Sequence, residues 1–137
     1  MRYTLFEKYK DGLMLTARLL LVLLYLRFGL GKLFTFSATV DYMASTDLPA
    51  PFLMTSIALA MEVGVALAIA LGFYTRPLAL ALLGYTLLAA VIGHPYWNMD
   101  GMARYDSMIN FYKNVSIAGG LLLLMVAGPG RYSFDRR

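Results

Sequence analysis

No cysteine occurs in this 137-residue chain, which excludes thiol redox relays, thiolate metal sites and disulfide scaffolds built from its own residues. A single histidine, His94, excludes an internal bis-histidine haem and leaves histidine–methionine ligation as the other haem option. Charge is also scarce: 15% of the residues are Asp, Glu, Lys or Arg, where a soluble domain carries about a quarter. The formal charge of +4 sits at the chain ends and between apolar runs, where lipid headgroups and orientation account for it. No nucleic-acid partner is implied.

What is plentiful is apolar sequence, 60% of the chain. Four runs, at about 13–34, 52–71, 78–93 and 109–127, fill most of it. About 20 residues of helix cross a hydrocarbon core of about 30 Å, and the two shorter runs fit if the bilayer thins or flanking residues snorkel. The expectation is an all-α membrane protein, a four-transmembrane-helix bundle forming one domain over residues 1–137. The first run contains Arg18 and Arg27 and continues through Gly29-Leu30-Gly31-Lys32 without a cleavage motif, so it reads as a retained helix.

Basic residues outside the runs set the orientation. Arg2, Lys8, Lys10, Arg76, Arg131, Arg136 and Arg137 fall on one side, with Arg104 on the other. That bias places both termini in the cytoplasm, as an even number of crossings requires. Asp11 is a plausible N-cap for the first helix. Residues 37–47 read as a short interfacial helix with Val40, Met43 and Ala44 turned inward. Pro49 and Pro51 then end it and begin the second crossing. That crossing carries small residues at every fourth position, Ser56, Ala60, Gly64, Ala68 and Gly72, a pattern that lets membrane helices pack closely. The third connection, residues 94–108, brings Tyr96 and Trp97 to the outer interface.

The polar residues inside the runs carry the functional expectation. Glu62 lies about 15 Å from the outer end of its helix, and a carboxylate at that depth marks a functional site by default. Arg27, about 7–10 Å below the same surface, is its expected partner, while Arg18 is expected to snorkel to the cytoplasmic face. Lys32, His94, Lys113 and Asn114 lie toward the outer ends of their helices. With Arg27 and Glu62 they would form a polar pocket of net charge +2, suited to the oxygens of a quinone head, a small anion or a lipid headgroup. Bland alternatives exist for each. Lys32 and Lys113 can be headgroup anchors, Glu62–Arg27 a structural clamp, and His94 a helix-end residue, since no second His or Cys accompanies it as a metal ligand.

Arg18, then Phe28-Gly29-Leu30-Gly31-Lys32-Leu33, Glu62-Val63-Gly64, Leu71-Gly72-Phe73-Tyr74-Thr75-Arg76, Ala89-Ala90-Val91-Ile92-Gly93-His94, and Phe111-Tyr112-Lys113-Asn114 through Gly128-Pro129-Gly130 with Ser133-Phe134-Asp135 follow one another in order. In this the chain resembles the DoxX family of small bacterial membrane proteins over nearly its whole length. The resemblance implies a four-helix bundle in the inner (cytoplasmic) membrane and an association with quinone-linked oxidoreduction, alongside a redox partner protein. It supplies no established catalytic residue set. The expected activity is at most that of a quinone-linked oxidoreductase subunit, with Glu62 or His94 exchanging protons with the quinone oxygens. Quinone is the cofactor that this reading names, with no haem or metal site. The alternative is a non-enzymatic membrane module: an assembly partner, a homo-oligomer built on the small-residue stripe, or a small transporter or proton relay.

Overall fold

The structure, a computed structural model, describes residues 5–135; Arg2, Arg136 and Arg137 of the charge count lie outside the described residues. Four helical segments among these are long and apolar enough to cross a membrane: Glu7–Phe34, Pro51–Leu71, Thr75–Asn98 and Gly101–Ala127. Helix is the expected answer for such runs, because a bilayer core offers the backbone no water and each N–H and C=O must bond within its own segment.

Helix α1 spans Lys10–Phe34, and α2 spans Phe36–Ser45. The second crossing consists of α3 (Pro51–Leu59), a widened π turn (Ala60–Val65) and α4 (Ala66–Leu71). Helix α5 spans Thr75–Gly93 and α6 spans Gly101–Ala127. Helix α6 begins well before the expected residue 109, so the third connection shortens to His94–Asp100, with a 3-10 turn at Tyr96–Asn98. The two extra turns carry Arg104, Tyr105 and Asp106, whose polarity hides helix from a hydropathy reading. Helix α1 starts at Lys10 with Tyr9 before it and no side-chain cap, so Asp11 lies inside the first turn instead of capping it. In α2, Val40 and Met43 are half-buried as expected, but Ala44 is exposed.

Chain reversals follow from local chemistry. Pro51 sets the first turn of α3. At the end of α4, Gly72 adopts φ 72°, and Phe73 N–H bonds to Ala68 C=O, a left-handed stop that satisfies the last carbonyls. Helices α5 and α6 pack along most of their length, and α1 lies chiefly on the second crossing.

The apolar core consists of Val22, Tyr25, Ala66, Ile69, Ala79, Leu82, Leu121 and Leu124. At the end of the bundle below it, Arg18 is 2% exposed, not snorkelled. Its guanidinium donates to the carbonyls of Ala70, Pro129 and Tyr132, at 3.2, 2.5 and 2.6 Å. Snorkelling loses because these carbonyls, at the ends of α4 and α6 and in the tail, converge on Arg18 and replace water as acceptors. The tail is held from its other side too, where Asp135 accepts from the N–H groups of Tyr74 and Thr75 at 2.8 and 2.7 Å. That carboxylate caps the start of α5.

Between lipid-embedded helices close packing replaces the hydrophobic drive, and the tightest crossing is at Gly29. A Cβ there would stand 2.8 Å from both Glu62 Cβ and Val63 Cγ2 and 3.0 Å from the Glu62 carbonyl carbon. Gly29→Ala is therefore expected to destabilise the protein by about 1–3 kcal/mol, despite alanine's better helix propensity. Gly84, whose Cβ would meet nothing within 4 Å, provides the control: Gly84→Ala should be neutral or stabilising. Thermal unfolding in detergent compares the two, and equal behaviour would show that the crossing is loose.

Candidate functional site

Glu62 is 8% exposed and sits in the π turn. Such turns hold an extra residue per cycle and are frequent at functional sites. Its carboxylate faces two helices at once. From α1, Lys32 Nζ donates to Oε1 at 2.7 Å and to Oε2 at 2.5 Å. From α5, Tyr85 OH donates to Oε1 at 2.6 Å. The Gly29 crossing makes the first contact reachable, since it brings the α1 backbone against Glu62 one turn below Lys32.

The expected Arg27–Glu62 pair is thus replaced by Lys32–Glu62. Periodicity explains the change. Arg18, Val22, Tyr25 and Gly29 are the buried residues of α1, and Lys32 continues that stripe at spacings of three and four. Arg27 is two residues from Tyr25 and Gly29, so it points away; it is exposed and extends toward Gly31. The earlier alternative that Lys32 is only a headgroup anchor also gives way, because its ammonium turns inward while 29% of its side chain stays exposed.

One turn deeper than Gly29 on α1, Tyr25 forms a second polar pair with the α5 residue next to Tyr85. Tyr25 OH and Thr86 Oγ1 are 2.5 Å apart, and Thr86 Oγ1 donates to Leu82 C=O at 2.6 Å. A hydroxyl has one proton to give, so Tyr25 is the donor to Thr86. Tyr25 is near enough to feel the charge of Glu62. Sequence reading missed Tyr25, Tyr85 and Thr86; the signal was the polar Tyr85-Thr86 pair inside an otherwise apolar helix.

The remaining candidates form a separate group. His94 is half-buried just beyond the end of α5, within electrostatic reach of Lys113. Nine residues separate it from Tyr85, which amounts to about 13 Å of rise and half a turn of azimuth. Lys113 is exposed and donates to Asn110 Oδ1 at 2.9 Å, with Asn114 half-buried beside it. Around this end Trp97 and Phe111 pack edge to face on Tyr96, and Tyr112 on Phe111, each with ring centroids 5.4 Å apart, while Tyr112 is tilted against Tyr96 at 6.1 Å, and Arg104 lies over Tyr96. The residues grouped from sequence therefore divide: Lys32 and Glu62 meet, joined by the unforeseen Tyr85; His94, Lys113 and Asn114 lie apart under an aromatic rim; and Arg27 belongs to neither group.

The small-residue stripe faces outward only at its middle, since Gly72 is buried against Ser133 and Ser56 and Ala68 are half-buried. Ala60 and Gly64 are exposed, and Gly64 opens on a groove of about 390 Å³ lined also by Leu67, Ala68, Leu71, Phe73 and Phe134. In the buried site, a carboxylate is held by an ammonium and a phenol, with 29% of the lysine side chain exposed. Two of the three ammonium protons and the single phenol proton are given to Glu62, which leaves one Lys32 N–H for a further oxygen acceptor.

The DoxX family model matches residues 13–95, the stretch that contains the whole buried site. Inner membrane protein YphA of Escherichia coli (strain K12) is 52% identical over 137 residues, covering 100% of this chain and 98% of the relative. Inner membrane protein YqjF of the same organism is 38% identical over 130 residues, covering 95% of each. No solved structure matches.

Proposed function

This chain belongs to the DoxX family and is a multi-pass inner-membrane protein, and from that premise we propose that Lys32, Glu62 and Tyr85 hold the oxygen-bearing head of a quinone-like or other small amphiphilic ligand. The observation that carries this reading is the partly exposed Lys32 side chain, whose ammonium pairs with a nearly enclosed carboxylate and keeps one N–H beyond its two bonds to it. A ligand carbonyl would accept from that N–H on the exposed side of Lys32, while its apolar tail stays in lipid. Arg27, His94, Lys113 and Asn114 lie toward the same end of the bundle, outside the buried site. Both termini face the cytoplasm, which the basic residues favour, so the approach opens on the outer side.

In the redox form of the proposal a partner protein supplies two electrons. Two protons then reach the quinone oxygens, given by the Lys32 ammonium and drawn in turn from the open end, with Glu62 taking up and passing on the proton, or through His94 at the same end of the bundle. A second reading rests on the exposed Ala60–Gly64 face, which suits association with another copy or with an assembly partner. In that form the chain is a non-enzymatic module.

Purification in mild detergent followed by organic extraction and ultraviolet spectroscopy tests the first reading. Wild-type protein is expected to carry quinone, and Glu62→Gln and Tyr85→Phe to retain severalfold less at unchanged yield. Folded protein without quinone overturns it, and the mass of the same detergent particle then shows whether a second copy or a partner is present.

A further inference from the structure

The buried polar groups lie unevenly along the bundle. Lys32, Glu62 and Tyr85 are linked by hydrogen bonds, and Tyr25 and Thr86 form the next pair inward. Beyond Thr86 the line stops. Its hydroxyl proton is already spent on Leu82 C=O, a backbone group that cannot pass a proton onward.

Below that point every helix contributes apolar side chains. Val22 of α1, Ala66 and Ile69 of α4, Ala79 and Leu82 of α5, and Leu121 of α6 are each 0% exposed. The next buried polar groups, Arg18 and Thr75, lie on the far side of this layer. Tyr25 and Arg18 are seven residues apart on α1, about 10 Å, and Thr86 and Thr75 eleven apart on α5, about 16 Å. A proton moves directly between heavy atoms about 2.6–3.2 Å apart, so the gap is several hops wide, and no described residue places a buried polar side chain in it. Beyond it the Arg18 guanidinium donates to three carbonyls, and the Thr75 hydroxyl has no hydrogen-bond partner, so it is not linked to the line above.

We propose that the polar line is a one-ended shaft, with Tyr25–Thr86 as its floor, and that the apolar layer beneath seals it from the Arg18 end. Protons and solutes reach Glu62 from the Lys32 end alone, and the single chain does not conduct across the membrane. This concerns access to the site described above and holds whatever its ligand is. Only the statement that the open end is the outer one rests on the proposed orientation. It also removes the through-membrane proton relay from the functional alternatives.

Wild-type protein in liposomes, loaded with a pH-sensitive dye and given a potassium diffusion potential, should acidify no faster than protein-free liposomes. In sealed vesicles of either orientation, a charged, membrane-impermeant carbodiimide should modify Glu62 from the Lys32 side and only at background from the other, as read by peptide mass spectrometry. Proton flux above the lipid background, modification from the Arg18 side, or modification from neither side would each overturn the proposal. Neither measurement depends on quinone content, so failure of the ligand reading is distinguishable from failure of the shaft.

Discussion

Lys32→Met should destabilise the protein by about 3–5 kcal/mol, the usual effect of stripping one member from a buried ion pair. The loss is large because Glu62 is 8% exposed, and the ammonium occupies both of its oxygens. Without Lys32 the carboxylate keeps one donor, Tyr85 OH, and it must then either carry an uncompensated charge in a low-dielectric interior or take up a proton. The double variant Lys32→Met/Glu62→Gln should recover most of the loss. It removes both charges, and the amide oxygen still accepts from Tyr85. Unfolding by sodium dodecyl sulfate titration in mixed micelles gives the comparison. A single variant that loses less than about 1 kcal/mol would class the pair with solvent-screened surface bridges and undermine the site.

Arg18→Leu is expected to have a comparable effect at the other end of the bundle. Hydrogen bonds to a charged group contribute about 1.5–3 kcal/mol each, and Arg18 makes three, to Ala70, Pro129 and Tyr132. Leucine leaves those carbonyls without a donor and also releases the tail, because two of the three belong to it. Arg18→Lys should rescue only partly, since an ammonium is a point donor and the acceptors are spread around a planar fork. Two readouts apply: loss of thermal stability, and new protease cleavage after Gly128 in detergent-solubilised protein. Loss of stability without cleavage would show that Asp135, bonded to Tyr74 and Thr75, holds the tail unaided.

Much of the fold was legible because lipid leaves so few choices. Runs of about 20 apolar residues become helices, and Gly72 and Pro51 mark reversals whose chemistry is local. Glu62 was legible for the same reason, as a costly residue at depth. Its partner was misassigned because depth was counted along straight helices and azimuth was applied only to Arg18 and Arg27. Buried Val22, Tyr25 and Gly29 on α1 point to position 32 and not to 27. Tyr85 and Thr86 escaped notice because tyrosine and threonine are unremarkable in apolar helices until something faces them. The widened turn at Ala60–Val65 has no composition of its own and could not have been read at all. The convergence of Arg18 on three carbonyls depends on where distant helices end, which one-dimensional sequence does not record.

The widened turn at Ala60–Val65 also bears on how such a site could arise or vanish. One residue more than a regular helix needs is absorbed there, with helix intact on both sides. Losing a single codon in this stretch would restore a regular helix with both halves facing as they do now, and would turn the carboxylate, carried within the widened turn itself, out of line with α1 and α5. A bundle of the same length class could thus pass between harbouring a buried acid and being inert scaffold in one insertion or deletion, without any change in its loops or core.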